Sequence, residues 1–383
     1  MPTKPSVAPA IVWFRDDLRV TDQPALTRAV ESGRPLVCVF VDDTGDGAGR
    51  PPGGAARWWL HGSLAGLDAA LARHGGRLLL LRGDAQREIE RVVHDTGAEA
   101  VYWNRRYAQP QRDADAALKT SLKARGVTVE SSNGSLLNEP WEVLTGSGGP
   151  YQVFTAYWRA ARRDRTVAVP LPEPERIAFH RWPKAVHDRA LALDALALLP
   201  HAPDWAGGLR DAWPAPDEAG AHAQLDAFLT TSLAGYADAR DRPDRPATSR
   251  LSPFLRFGNV SPRQVWHAVQ GAAHAGGAAY AAVMSGSFCS ESREATIENG
   301  RRRIVQLANL LRVPTYAVDA GHRFFMLAVQ HDFVKGRKTQ YVAAACLYVV
   351  CRREKTSRLC MVTQPTASHY ISHWFIFCMT SCT

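Results

Sequence analysis

Five short apolar runs in the first 130 residues constrain the fold more than any other feature of this sequence. They occupy residues 10–14, 36–41, 78–81, 100–103 and 127–129. Each run is short enough to form a strand that is buried on both faces, as strands of a parallel sheet are. Because helical patterns separate the runs, the sequence predicts an α/β fold with a doubly wound five-stranded parallel sheet.

The segments between the runs carry helix signals. Asp22 followed by Pro24 predicts a helix start, and Gly75 with Gly76 predicts a helix end. The region contains no Gly-x-Gly-x-x-Gly turn, so the fold alone identifies no cofactor. Between these signals, four leucines repeat at the spacing of one helix face: Leu60, Leu64, Leu67 and Leu71.

The pattern loosens after the last apolar run. Residues 139–216 are rich in proline around an aromatic stretch at 151–158, which is typical of a long connection. Helical composition returns at 219–233. Ser252 and Pro253 then predict another helix start, with Ser252 as the cap and Pro253 in the first turn.

The composition changes near residue 282. Residues 1–280 carry 33 Lys and Arg against 31 Asp and Glu, an excess of +2, whereas residues 281–360 carry 13 against 6, an excess of +7. Residues 361–383 carry none of the four. Ten of the eleven Trp lie at or before Trp266, but six of the seven Cys and four of the five Met lie at or after Met284. We interpret this break as a junction between two unlike sequences.

Three apolar stripes after the junction predict a small bundle of three helices. The uncharged segment at 360–383 has no helix caps, and we predict that it is unstructured. The stripes are Ile304, Leu307, Ala308 and Leu311; then Val318, Gly321, Phe325 and Ala328; then Val342, Ala345, Cys346 and Val349.

The cysteines predict free thiols in a reducing compartment, because no pair has the two-residue spacing that zinc sites favour. No metal site is predicted. No run approaches the roughly 20 apolar residues of a membrane helix, and the first residues lack the apolar core of a secretory signal. The sequence therefore predicts a soluble intracellular protein without a membrane partner, and it leaves cytoplasm or nucleus open.

One polar run contains many groups that bind phosphate. It comprises Tyr236, Arg240, Arg242, residues 248–252 (Thr-Ser-Arg-Leu-Ser) and Arg256. Hydroxyls at a helix start lie beside unpaired N–H groups, and arginine can add a bidentate contact, so the run is compatible with an anion site. The alternative is that Ser252 only caps its helix and the arginines are solvated, and the residue types alone favour that alternative.

From about residue 10 to 280 the chain resembles the photolyase/cryptochrome family. The resemblance rests on IVWFRDDLRVTDQPAL near the start, RWWLHGSLAGLDAAL at 57–71, YQVFTAYWRA at 151–160, DWAGGLR at 204–210 and TSRLSPFLRFGNVSPRQVW at 248–266. It implies a light-antenna domain followed by an all-helical flavin domain. It also implies that FAD is held by Tyr236, Thr248, Ser249, Arg250, Leu251 and Ser252, and that Arg240 faces DNA.

The family resemblance implies light-dependent repair of pyrimidine dimers in DNA, the reaction of a deoxyribodipyrimidine photo-lyase. However, the family pattern stops soon after Trp266, so we predict that this chain is inactive and assign no catalytic residue. Tyr102, Trp103 and Tyr107 lie where an antenna chromophore could be contacted. Pro110 and Gln111 replace the Asn-Glu pair of folate-binding relatives, so the antenna pigment is left open.

Residues 291–359 look like part of the first cyclin repeat of the TFIIB-related subunit of the RNA polymerase III initiation factor. The most specific block is KGRKTQYVAAACLYVVCRREKTS. This resemblance implies a transcription-factor fragment that contacts the RNA polymerase III initiation complex. Its basic residues could face phosphates or simply be solvated. A third alternative is an inert chimeric gene model.

Together the two resemblances predict five parts. These are a photolyase-like α/β antenna domain at 8–135, an interdomain connection at 136–218, the start of a helical FAD domain at 219–282, a partial cyclin-like repeat at 291–359 and an unstructured tail at 360–383.

Overall fold

The computed structural model describes residues 7–45, 51–164, 166–240, 242–276, 293–311, 313–331, 333–334 and 339–353. It contains the predicted five-stranded sheet, in which the strands have the order β3-β2-β1-β4-β5 and every pair is parallel. The predicted fold class is confirmed. The strands are β1 (Ala10–Phe14), β2 (Leu36–Asp43), β3 (Leu78–Gly83), β4 (Ala100–Asn104) and β5 (Thr128–Ser132).

Two cores cover the two faces of the sheet, which explains why the strands are apolar throughout. On β1, Val12 belongs to one core, whereas Ile11 and Trp13 belong to the other. Trp58 and Trp59 are packed in the same core as Val12. The crossover helices are α1 (Pro24–Glu31), α2 (Gly54–Arg73), α3 (Ala85–Thr96) and α4 (Gln109–Ala124).

The start of α1 is at Pro24 as predicted, but Gln23 rather than Asp22 caps the helix. The side chain of Gln23 accepts a hydrogen bond from the N–H of Ala25. Asp22 has a positive φ of 46° and is completely buried, and its carboxylate instead contacts Ser261 and Arg263. A side chain committed to those partners is not available as a cap.

Between β5 and residue 276, the described residues contain seven further α-helices. The prolines of the connection separate the first of these helices. The backbone of the connection pairs with the start of β2, where the N–H of Leu36 donates to the carbonyl of Ala178 and the carbonyl of Leu36 accepts from the N–H of His180. The helices are α5 (Phe154–Asp164), α6 (Lys184–His187), α7 (Gly207–Ala212), α8 (Glu218–Thr231), α9 (Tyr236–Ala239), α10 (Ser252–Phe257) and α11 (Pro262–Gly276).

The prediction that Ser252 caps α10 is wrong. Leu251 takes the cap position with a nearly helical backbone and makes no side-chain capping hydrogen bond. Leu251 is 3% exposed, so its packing in the core draws the helix start back by one residue. Ser252 is consequently the first residue of the helix, and its side chain is exposed.

The chain divides into two compact units, residues 1–150 with 160–285 and residues 151–159 with 286–383. The second unit contains the three predicted helices, α12 (Arg293–Leu311), α13 (Thr315–Gln330) and α14 (Thr339–Arg353). Their predicted stripes meet in one core, in which Ile304, Phe325 and Cys346 have no exposed surface. Residues 360–383, predicted to be unstructured, lie outside the described residues.

Among the described residues, no group of three or more His, Cys, Asp or Glu side chains is arranged to hold a metal ion. Within the same ranges, no helix combines the length and the apolar character needed to cross a membrane.

Candidate functional site

Tyr236 and Arg240 lie at the two ends of the short helix α9. The Tyr236 ring packs edge-on against Phe228, with 5.5 Å between the ring centroids. The Arg240 guanidinium lies 5.9 Å from the centre of the Tyr236 ring. Arg240 is exposed, so it can reach a phosphate outside the protein. The structure therefore places the predicted DNA contact next to one predicted flavin contact.

The other predicted cofactor contacts, residues 248–252, form one loop that leads into α10. The amide nitrogen of Gln224, on α8, donates a hydrogen bond of 3.1 Å to the carbonyl of Ser249. Thr248 and Ser252 are exposed, Ser249 is half-buried and Leu251 is buried. The loop thus presents hydroxyl groups outwards while its main chain is fixed from behind.

Arg250 is arranged differently from a phosphate-binding arginine. Its backbone has a positive φ of 53°. Its guanidinium lies 4.2 Å from the centre of the Trp213 ring and donates a hydrogen bond of 2.5 Å to the carbonyl of Ala212. The side chain is therefore engaged with α7 and the residue that follows it.

These residues fit the phosphate groups of FAD. Exposed hydroxyls of Thr248 and Ser252 adjoin the first turn of α10, where N–H groups lack partners within the helix. Hydroxyl and backbone N–H donors are what a phosphate oxygen accepts from. The fit concerns the phosphates of FAD.

A second candidate site is a cleft of about 260 Å³ at the carboxyl edge of the sheet. This is the edge where parallel α/β sheets usually bind ligands. Tyr107, one of the three aromatic residues predicted there, lines it, whereas Tyr102 and Trp103 are buried in the cores. The lining residues are Arg15, Asp16, Asp17, Asn104, Arg105, Arg106, Tyr107, Gln111, Ser135, Leu136, Leu255 and Arg256.

A buried charge network forms the floor of the cleft. The guanidinium of Arg15 donates to both carboxylate oxygens of Asp115, at 2.7 and 2.9 Å, and Arg106 donates to the same carboxylate at 2.7 Å. Burial lowers the pKa of Arg15, and the positive charge of Arg106 lowers it further. Arg15 also lies 4.3 Å from the centre of the Trp13 ring. One carboxylate thus bridges two arginines at close range and balances one of their two positive charges.

Several buried polar atoms of the cleft have no partner at hydrogen-bond geometry among the residues that the structure describes. They are Oδ1 of Asn104, Nε of Arg106 and the hydroxyl of Tyr107. Burial, followed by the neighbouring carboxylate of Glu139, raises the pKa of Tyr107, so its hydroxyl keeps its proton. Buried polar atoms normally have partners, which makes such a group of unpaired atoms a site for a polar ligand.

Sequence reasoning missed the arginines and aspartates of this cleft. Arg15 and Asp17 follow β1, and Arg105 and Arg106 follow β4. Because β1 and β4 are neighbours, polar residues directly after both strands meet at one edge. The clusters FRDD and NRRY, read with the strand ends, were the signal that could have located the cleft.

Comparison with known proteins reveals two similarities. Residues 10–175 match the DNA photolyase family model, and residues 293–363 match the transcription factor TFIIB repeat. A deoxyribodipyrimidine photo-lyase of Agrobacterium fabrum is 45% identical over 265 residues, which are 69% of this chain and 53% of that protein. Cryptochrome-1 of Arabidopsis thaliana is 37% identical over 268 residues, covering 68% of this chain and 38% of that protein. The chain thus spans about half or less of the length of these relatives.

Solved structures also resemble this chain. A bacterial class III photolyase from Agrobacterium tumefaciens superposes with a TM-score of 0.66 and 35% identity, covering 91% of this chain and 74% of that chain. A cryptochrome from Synechocystis superposes with a TM-score of 0.60 and 18% identity, covering 90% of this chain and 76% of that chain, and this likeness concerns the fold alone.

Proposed function

Because this chain belongs to the photolyase/cryptochrome family, we propose that it is a photolyase-like protein that binds the phosphates of FAD at residues 248–252 and contacts DNA through Arg240. The observation that carries the proposal is the loop before α10, whose hydroxyls of Thr248 and Ser252 are exposed beside a helix start while Gln224 holds its main chain. Tyr236, Ser249, Arg250 and Leu251 complete the proposed FAD segment.

We further propose the five-part division stated above, with an antenna domain at 8–135, a connection at 136–218, the start of a FAD domain at 219–282, a partial cyclin-like repeat at 291–359 and a tail at 360–383. When bound and reduced, FAD supplies an electron to a pyrimidine dimer on illumination. Within this division, the chain's own residues bind phosphate through hydroxyls and backbone N–H groups, and the exposed guanidinium of Arg240 attracts the DNA backbone.

The FAD proposal predicts that removing the hydroxyls weakens binding. The variant Thr248→Ala, Ser249→Ala, Ser252→Ala loses hydrogen bonds to a charged acceptor, each contributing about 1.5 to 3 kcal/mol, so we expect affinity to fall at least tenfold. Titration of FAD by fluorescence measures the change. A matched control is Thr230→Ala, Thr231→Ala, which removes two exposed hydroxyls that donate to carbonyls of α8, the Thr231 hydroxyl also contacting the hydroxyl of Ser232. Equal affinity of the triple variant and the parent chain excludes this segment as the phosphate site.

The cleft at the carboxyl edge supports a further role as the binding site of an antenna pigment. We expect riboflavin, which has a flavin ring but no phosphate, to bind there through the hydroxyl of Tyr107, which lines the cleft. Tyr107→Phe should weaken riboflavin binding roughly fivefold, the effect of one lost hydrogen bond. The triple alanine variant at 248–252 serves as the control and should bind riboflavin like the parent. Methenyltetrahydrofolate, tested in parallel, reports whether the replacement of the Asn-Glu pair by Pro110 and Gln111 excludes folate. Riboflavin binding that is unchanged in Tyr107→Phe contradicts this assignment.

The match at 293–363 favours a second candidate function, contact with the RNA polymerase III initiation complex through residues 291–359. The packed core of α12, α13 and α14 is compatible with a folded part of such a repeat. The same match supports a chimeric origin of the chain. Sequencing of transcripts across residues 270–300 distinguishes a fusion protein from a chimeric gene model. A continuous transcript supports a fusion protein, and two separate transcripts support a chimeric gene model.

A further inference from the structure

We propose that Arg250 is a positioning residue, which holds the phosphate segment against Trp213 and Ala212 instead of binding a phosphate with its charge. The inference rests on the proposed function, since the ligand concerned is the phosphate part of FAD. It differs from the usual role of an arginine beside a phosphate, which is a bidentate contact to the anion.

The backbone of Arg250 has a conformation that is unusual for a residue with a side chain. A φ of +53° lies in the left-handed region, which residues with a β carbon occupy only when their surroundings compel it. On one side of Arg250, the carbonyl of Ser249 is held by Gln224, and on the other side, Leu251 is buried in the core. The conformation of this one residue therefore sets the direction of the hydroxyls before and after it.

The side chain of Arg250 provides the surroundings that compel this conformation. Its guanidinium stacks on Trp213 at 4.2 Å and donates to the carbonyl of Ala212, the last residue of α7. Carbonyls at a helix end lack partners within the helix, and a cation is favourable there. Both partners are neutral, so the arrangement uses the shape and donors of the guanidinium more than its long-range charge.

Trp213 is itself fixed by aromatic packing. Its ring lies edge-on to Trp59, with centroids 5.2 Å apart, and to Phe254 of α10, with centroids 6.4 Å apart. Trp59 is 5% exposed, and its indole nitrogen donates to Asn259 at 3.1 Å. Arg250 thus connects the loop to a buried framework, and the affinity of the loop for a phosphate should depend on the uncharged Trp213.

The first test needs no ligand. Hydrogen exchange of the amides at 249–251 is measured in the full chain for the parent, Arg250→Ala and Trp213→Ala. We expect exchange to accelerate about tenfold in both variants, because either change removes a stacking contact that holds the loop. Arg245→Ala removes an exposed arginine three residues before the segment and should leave exchange unchanged. Unaltered exchange in Arg250→Ala overturns the inference, whether or not the chain binds FAD.

The second test is FAD affinity at several salt concentrations. Arg250→Ala, Arg250→Lys and Trp213→Ala should each weaken binding roughly tenfold, whereas Trp213→Phe should bind like the parent. Arg250→Ala and the parent should have the same salt dependence, because the charge of Arg250 is not directed at the phosphate. Parent-like affinity of Arg250→Lys, together with a weaker salt dependence of Arg250→Ala, overturns the inference in favour of a charge contact. If the parent binds no FAD while the exchange difference persists, the proposed function fails and the anchoring role of Arg250 is retained.

Discussion

Under blue light and with reduced FAD supplied, the purified chain is expected to leave pyrimidine dimers in irradiated DNA at the level of a dark control. Residues 293–363 match a TFIIB repeat, so this part of the chain resembles a different family from the one that precedes it. Repair requires the flavin ring to be held beside a base that has left the duplex. A contact made through phosphates leaves the ring end free, and the lost orientation corresponds to an effective molarity of about 10⁵ M or more.

The repair measurement needs two controls. A photolyase such as the Agrobacterium fabrum protein, assayed in parallel, shows that the irradiated DNA and the reduced FAD are competent. DNA binding must be recorded at two salt concentrations, because exposed arginines such as Arg240 can give weak, salt-sensitive binding without repair. Light-dependent loss of dimers above the dark control contradicts the proposal that this chain is inactive.

The sheet could be predicted from the sequence because its strands are local, continuous apolar runs. Residues 10–14 coincide with β1, and the other four runs begin within one residue of their strands. The strand ends were less predictable. At the ends of β2 and β4, Asp43 and Asn104 continue the strand pairing with polar side chains. The carboxylate of Asp43 accepts a hydrogen bond from Gly45 in the turn that follows, and the amide of Asn104 donates to Asp17 in the cleft. Hydrophobic periodicity carries no signal for such residues.

The candidate sites were less predictable because their partners are distant in sequence. Arg15 meets Asp115 across 100 residues, and Arg250 meets Ala212 across 38. The segment 248–252 was found by resemblance, but its residue types gave no indication that Arg250 faces Trp213. The pattern around Ser252 also did not indicate that Leu251 would take the cap position. That position depends on the burial of Leu251 in the core.

The second large effect is expected at Arg19, which is 1% exposed and lies where the loop after β1 meets α10 and the chain after β5. Its guanidinium donates to the carbonyls of Thr21, Asp22, Gly134 and Gly258 at 2.7 to 3.2 Å. Burial lowers the pKa of Arg19, although the nearby carboxylates of Asp17, Asp22 and Glu218 oppose that shift. Arg19→Met leaves these carbonyls without their donor and removes one cation from beside the carboxylates, of which Asp22 keeps Arg263. We expect the free energy of unfolding to fall by about 3 to 5 kcal/mol, the usual effect of removing one partner from a buried charge network.

Urea unfolding followed by circular dichroism measures the effect of Arg19→Met, and two variants show whether the hydrogen bonds are the cause. Arg28→Met removes an arginine whose side chain is 60% exposed and which pairs with Glu31 at 3.2 Å, so its effect should be below about 1 kcal/mol. Arg19→Lys keeps the charge but has a compact ammonium that does not reproduce the fork of donors, so it should recover only part of the loss. Equal destabilisation by Arg19→Met and Arg28→Met contradicts a structural role for the buried guanidinium. Full recovery in Arg19→Lys assigns the stabilisation to charge alone, because the carboxylates of Asp17, Asp22 and Glu218 then suffice to explain it.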